Sequence, residues 1–310
     1  MTIFWALFLK TTPLYFNIIL GYIAGRFLHV QGDNIAKLMF YMFVPIVIFS
    51  GIAKTEINSS VLLLPFLVFS VCTAFCLVYR YIGGRVFGKD SSLKNILALT
   101  VGTANSGYFG LPVAMILFDY DSNIVGIYMT ALVGMTLFES SVGFYVSANG
   151  VHTQRESFIR VLRLPTLYAF IAGAIFGVYD IELPVIVDTV VDNVKGCYVV
   201  LGMMIIGLGI SKLDSCKMDY KFFSLALTAK FIMWPLVIYL IKIIDINMFN
   251  IFSDSAYKSL TLLSILPLAA NSVAIATVLN THPSKVATTV FASTLFAMLY
   301  VPLMVVFLFY

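Results

Sequence analysis

Ten apolar stretches, parted by short charged or turn-rich connections, leave this chain few folds to choose from. They run over about 4–27, 34–53, 59–82, 91–117, 123–147, 164–179, 184–211, 220–243, 256–280 and 284–309. A helix needs about 20 apolar residues to cross a bilayer. In lipid every backbone polar group has to be satisfied internally, which a helix does within its own segment. Composition closes off the alternatives. The chain is 61% hydrophobic and 11% charged over 310 residues, with a mean hydropathy of +0.99. A soluble domain carries about 25% charged residues. The pattern excludes a soluble enzyme, a nucleic-acid-binding module and a receptor with a large ectodomain. It specifies an all-α integral membrane protein of ten transmembrane helices, with the lipid bilayer as its first partner.

Cysteine and histidine usage adds a second exclusion. Cys72, Cys76, Cys197 and Cys216 follow no disulfide or metal spacing, and the i, i+4 pair Cys72/Cys76 reads as buried packing. His29, His152 and His282 all fall in connections, so neither a metal site nor a cofactor is expected. The N-terminus has no basic start and no clear cleavage site, and reads as a retained first helix.

Orientation follows from the basic residues. Thirteen of them, including Arg26, Arg80, Arg85, Arg155, Arg160, Arg163, Lys212 and Lys217, fall on one side of the ten spans. Only Lys54, Lys242 and Lys258 fall on the other, among acids such as Asp119, Asp121, Asp180 and Glu182. The basic side is expected to be cytoplasmic, which puts both termini outside.

The two halves, 1–150 and 151–310, echo each other. Pro13, Gly21 and Gly25 recur as Pro165, Gly173 and Gly177. Gly51-Ile-Ala-Lys54 recurs as Gly209-Ile-Ser-Lys212, and Ala104-Asn105-Ser106 as Ala270-Asn271-Ser272. The offset grows from 152 to 158 to 166, as small loop insertions would make it. An odd number of spans per half turns the second copy upside down, and inverted repeats are the usual build of secondary transporters.

In such proteins the site lies near the midplane, where interrupted helices free backbone groups beside a cavity. Span 4 carries Thr100-Val-Gly-Thr-Ala-Asn-Ser-Gly-Tyr-Phe-Gly-Leu-Pro112, and span 9 carries Ile265-Leu-Pro-Leu-Ala-Ala-Asn-Ser-Val273. Proline frees the carbonyl four residues back, so interruptions are expected at Pro112 and Pro267. A single intramembrane Asn commonly serves as interhelical glue. Asn105 and Asn271, at matching positions beside expected interruptions, point instead to a binding site that includes Ser106, Gly110, Pro112 and Ser272. Tyr108, Phe109 and Val273 either cover the apolar part of a substrate or belong to the core or lipid face.

These motifs resemble the auxin efflux carrier family. Gly21-Tyr-Ile-Ala-Gly25 is similar to the end of its first helix, and Val44-Pro45 to Ser50-Gly51 to its second. Asn105 to Gly110-Leu-Pro112 resembles its fourth helix, and Leu266-Pro267, Asn280-x-His282-Pro283 and Tyr300-Val-Pro302 its ninth and tenth. The resemblance implies a fold shared with bile-acid/sodium symporters. Helices 1, 2, 6 and 7 would form a scaffold, and helices 3–5 and 8–10 a transport domain that moves as an elevator. Helices 4 and 9 would cross at the substrate site, with Ser50 nearby, and the substrate would be an organic anion. A homodimer through the scaffold is implied as well. The short connection after span 5 and the Ala-Asn-Ser segment of span 9 resemble the bacterial small-carboxylate permeases, which implies an inner (plasma) membrane location.

Charged groups inside spans cost at least about 2.5 kcal/mol each, which makes them functional candidates. Glu139 in span 5 and Lys230 in span 8 could form a pair. Either Glu139 titrates and couples a proton to anion movement, with Lys230 setting its affinity, or the two form a static buried ion pair. Asp188, Asp192 and Lys195 share one stripe of span 7, which reads as an outer vestibule, with Asp192 a further coupling candidate. The function expected is a secondary active carrier for small organic anions. A sodium-coupled symporter of the bile-acid type and a non-transporting sensor of the same fold remain open. An intramembrane enzyme would need a catalytic arrangement that the spans do not display.

Overall fold

The computed structural model describes residues 2–89, 91–119, 122–148, 158–159, 161–212 and 218–309. Asp121, His152, Arg155, Arg160, Cys216 and Lys217 lie outside the described residues. Within those residues the secondary structure is helical and no strand occurs. The protein is an all-α integral membrane protein.

The first three spans are α1 (Thr2–Phe27), α2 (Gly32–Ala53) and α3 (Ser59–Phe87). Span 4 divides into α4 (Ser92–Gly102) and α5 (106–118), followed by α6 (Asn123–Ser147). The second half begins with α7 (Pro165–Val178), α8 (Val185–Ser211) and α9 (Tyr220–Phe249). Span 9 divides into α10 (Asp254–Ile265) and α11 (Asn271–Val278), and α12 (Pro283–Phe309) closes the chain. Seven of these helices, and span 4 taken whole as the eighth, are long and apolar enough to cross a membrane. The shorter α7 and the divided span 9 occupy the two remaining apolar stretches.

Local chemistry explains where the helices start. Asn58, Ser91, Asp219 and Ser253 each accept a backbone N–H in the first turn of α3, α4, α9 and α10. Pro165 opens α7, where a missing N–H costs nothing.

The repeated glycines have a packing role. A Cβ on Gly21 would strike the backbone of Met204, and one on Gly207 the Ile18 carbonyl, so α1 and α8 run in close contact. A Cβ on Gly173 would lie 2.8 Å from the Phe49 carbonyl and one on Gly177 3.0 Å from the Thr55 carbonyl, so α7 packs against α2 by a close, though less tight, approach. Equivalent glycines therefore make equivalent contacts, each pairing the first helix of one half with the second helix of the other. Gly51 and Gly209 do not follow this rule: Gly51 meets the Met129 sulfur, while Gly209 meets nothing.

The core sits around span 4 and α6, whose apolar windows are 72% and 67% buried, against 28% for α9. Among the described residues five π-helical turns occur, at Met39–Phe43, Ser106–Gly110, Glu139–Gly143, Ala229–Met233 and, at the end of α9, Asp245–Phe249. Such one-residue insertions concentrate at functional sites, and three of the five contain a candidate site residue: Ser106, Tyr108 and Gly110 in one, Glu139 in another and Lys230 in a third.

Candidate functional site

Span 4 loses its helix at Thr103–Asn105, where Thr103 is extended and Asn105 has φ −75° and ψ 59°. This interruption holds no proline. Pro112 sits seven residues beyond Asn105, near the start of the regular turns of α5, where its fixed φ suits the helix. Span 9 is interrupted over 266–270, with Pro267 inside the gap as its chemistry predicts. The two gaps touch: the Asn105 N–H donates to the Pro267 carbonyl at 2.9 Å.

The freed backbone groups can be followed one by one. Trp234 Nε1 donates to the Val101 carbonyl at 2.8 Å and Thr103 Oγ1 to that of Leu99 at 3.2 Å, closing the end of α4. Tyr128 Oη donates to the Ser106 carbonyl at 2.8 Å and Tyr198 Oη to the Gly107 carbonyl at 2.9 Å. In span 9 the Leu268 N–H donates to Ser293 Oγ at 3.1 Å.

Beside the crossing lies a cavity of about 380 Å³. Its polar lining comes from Asn105, Ser106, Thr136, Glu139, Ser140, Arg163, Thr166, Tyr198 and Asn271. Phe40, Tyr41, Val44, Ile48, Leu132 and Leu164 form an apolar wall. Asn105 is 5% exposed, and its Nδ2 has no hydrogen-bond partner. An unmet buried donor is costly, and this one belongs to a residue that borders the cavity. Asn271 is exposed to the cavity and its Nδ2 donates to Glu139 Oε2 at 3.3 Å.

The sequence-derived candidates separate cleanly. Asn105, Ser106, Tyr108, Asn271 and Glu139 line the cavity. Gly110, Pro112, Ser272, Val273 and Ser50 do not. A Cβ on Gly110 would collide with the Tyr128 hydroxyl and the Leu266 side chain, so this glycine lets the two interrupted spans approach. Ser272 Oγ returns to the Ala269 carbonyl at 2.6 Å. Val273 packs half-buried on the core, Phe109 is fully buried, and Ser50 is buried in α2. The expected pairing of Glu139 with Lys230 does not occur. The Lys230 ammonium is buried without a hydrogen-bond partner and lies 4.3 Å from the centre of the Trp234 ring. Asp192 pairs with Lys195 at 3.5 Å, and Asp188 with Lys54 at 3.0 Å, away from the cavity.

Sequence reasoning missed Arg163 and Tyr198. In the sequence Arg163 reads only as a connection residue, although its place two residues before Pro165 marks it as the lip of α7. Tyr198 is a lone hydroxyl in an apolar helix and carries no local signal.

Comparison with known proteins bears on what such a cavity serves. The family described as membrane transport protein matches residues 6–151. The first half of the chain is similar to that family. An uncharacterized transporter of Methanothermobacter thermautotrophicus is 26% identical over 197 residues, covering 62% of this chain and 64% of that protein. The chain thus matches somewhat under two thirds of this relative's length. Both comparisons are with membrane transport proteins, in keeping with the resemblance to the auxin efflux carrier family.

Proposed function

We propose that the chain is a secondary active carrier for small organic anions, with carboxylates as the leading class. The observation that carries the reading is the crossing of two interrupted spans beside a cavity that offers donors without a permanent tight cage. The first turn of α5 brings amide N–H groups and partial positive charge to the cavity. Asn105 adds an unpaired amide and Arg163 a guanidinium, a planar fork that suits carboxylate. Release stays fast because most of these donors are uncharged. Bacterial small-carboxylate permeases are the branch that fits the short connection after α6.

Glu139 opposes an anion in the same cavity unless it carries a proton. Protonated, it removes that repulsion, and proton and anion then move together. In this reading the ten spans form two inverted five-helix repeats. The scaffold is α1, α2, α7 and α8, and the remaining helices move past it as an elevator. The basic face is cytoplasmic, both termini lie outside in a plasma membrane, and the cavity, built from the basic-side ends of α2, α6, α7 and span 9, faces inward.

The test is thermal stability in detergent against a panel of mono- and dicarboxylates, with and without sodium, for the parent and Asn105→Ala. A carboxylate that raises the midpoint of the parent and not of the variant supports the reading, whereas a shift seen only with sodium moves it to the symporter class. No shift with any acid overturns the carboxylate assignment. In liposomes, uptake by Glu139→Gln is expected to lose its pH dependence. An unchanged pH profile would remove Glu139 from coupling.

A further inference from the structure

Two buried tyrosines reach from the scaffold helices into the rest of the molecule, and both end on backbone carbonyls. Tyr15 Oη of α1 donates to the Met298 carbonyl of α12 at 2.9 Å, and Tyr198 Oη of α8 donates to the Gly107 carbonyl of α5 at 2.9 Å. Tyr198 is 1% and Tyr15 8% exposed. The Gly107 carbonyl is a special acceptor. In the π-helical turn the Gly110 N–H takes the Asn105 carbonyl and the Leu111 N–H takes that of Ser106. The next bond of that register would run from residue 112 to Gly107, and Pro112 has no N–H to give. The Tyr198 hydroxyl from the opposite domain fills that vacancy.

We propose that Tyr198 and Tyr15 are positioning residues that hold the carrier in the conformation described here, on one side of its cycle only. The proposal rests on the carrier reading above. Its one-sidedness comes from the repeat. The offset of 158 between the Gly51 and Gly209 motifs sets Phe40 against Tyr198, and the offset of 152 between Pro13 and Pro165 sets Leu167 against Tyr15. The π-helical turn Met39–Phe43 shifts the first register by one residue and brings Met39 to the same place. None of these counterparts has a hydroxyl. When inverted repeats exchange roles, the opposite conformation therefore lacks both bonds. It also leaves the Gly107 carbonyl without its donor, so the resting balance leans toward the conformation in which the cavity opens on the basic face.

The experiment reads that balance directly. A reporter cysteine replaces Ser140, a cavity residue, in a chain carrying Cys197→Ser and Cys216→Ser. A membrane-impermeant maleimide is then applied from either face of sealed vesicles. The quantity read is the ratio of labelling rates from the basic and the opposite face. It is expected to fall about five-fold in Tyr198→Phe and in Tyr15→Phe, the worth of one neutral hydrogen bond each. A loss of folded protein would reduce labelling from both faces alike and leave the ratio where it was. Tyr15, which does not line the cavity, keeps the test alive if Tyr198→Phe does not fold. A ratio unchanged in both tyrosine variants, with labelling from both faces, overturns the proposal. A reporter labelled from one face only in every variant overturns the alternating carrier itself.

Discussion

The interruptions of spans 4 and 9 occupy matching places in the two halves, yet they are built by different means. In span 9 a proline stands inside the gap, and the helix resumes at Asn271, whose side chain faces the cavity and is held by Glu139. In span 4 the gap contains no proline. Trp234, Thr103, Tyr128 and Tyr198 meet its loose backbone groups, and Asn105 is buried with its amide unpaired. One gap is made by the covalent chemistry of its own residues, and the other is made by its neighbours. The difference teaches that an interruption can be a property of the segment or of its surroundings. Only the first kind is visible in a segment read alone.

The most damaging way to break the comparison is to separate the two spans. Gly110 is where they approach, with Leu266 and the Tyr128 hydroxyl directly over its Cα hydrogens. A valine there has to displace a neighbour on both sides in a fully buried place, and overpacking of this kind costs about 1–3 kcal/mol. Gly110→Val is expected to abolish uptake and to lower the thermal midpoint by several degrees. Uptake within two-fold of the parent would show that the contact between the spans tolerates separation.

A pair of proline replacements sharpens the comparison with a smaller effect. Pro267→Ala allows α10 to add a turn and withdraws the Pro267 carbonyl from the Asn105 N–H. Uptake is expected to fall about ten-fold, as for the loss of roughly 1.4 kcal/mol of site geometry. Pro112→Ala supplies an N–H near the Gly107 carbonyl and competes with Tyr198 without changing the gap, which lies upstream. Its thermal midpoint is expected to stay close to that of the parent. Equal losses in the two variants, measured as initial uptake rates, would mean that Pro112 is part of the interruption after all.

This asymmetry also decides how much was legible. The ten apolar stretches, the repeated glycines and the gap at Pro267 follow from periodicity and backbone chemistry, which are local. Asn105 and Asn271 were found because an amide in an apolar span is conspicuous. The gap at Thr103–Asn105 was placed too late, at Pro112, because the stabilising groups come from α6, α8 and α9, far away in sequence. The supposed pairing of Glu139 with Lys230 failed for the same reason. Charge complementarity names a partner but not a distance, and the Trp234 ring stands beside Lys230 in a place the sequence does not reveal. Ser50 and Val273 had motif neighbours in the site, and their side chains turn elsewhere on the helix.

The smallest effect is expected at the far ends of the same two spans. Ser92, at the start of α4, lies 3.1 Å from Nε2 of His282, in the connection after α11, so the spans are tied at the basic face as well as at the crossing. Next to this tie, Asp219 accepts from the Lys285 ammonium at 2.7 Å. The hydrogen bond from Lys285 is the main reason the Asp219 carboxyl is held below its ordinary range. Burial first, and the Lys285 charge second, push His282 below its ordinary value, so the folded protein favours the neutral ring. The unfolded chain then binds the proton more readily. The contribution of His282 to stability is complete above the ordinary imidazole value of about 6.5 and is lost as pH falls through and below it. His282→Gln is expected to flatten the decline of the thermal midpoint between about pH 7 and pH 5, while shifting the midpoint at pH 7.5 by no more than a degree or two, because the residue is only partly withdrawn from solvent. Uptake at pH 7.5 should stay near that of the parent, since the crossing keeps its own buried bond from Asn105 to Pro267. A large loss of uptake in this variant would instead place the decisive tie between the spans at the membrane surface.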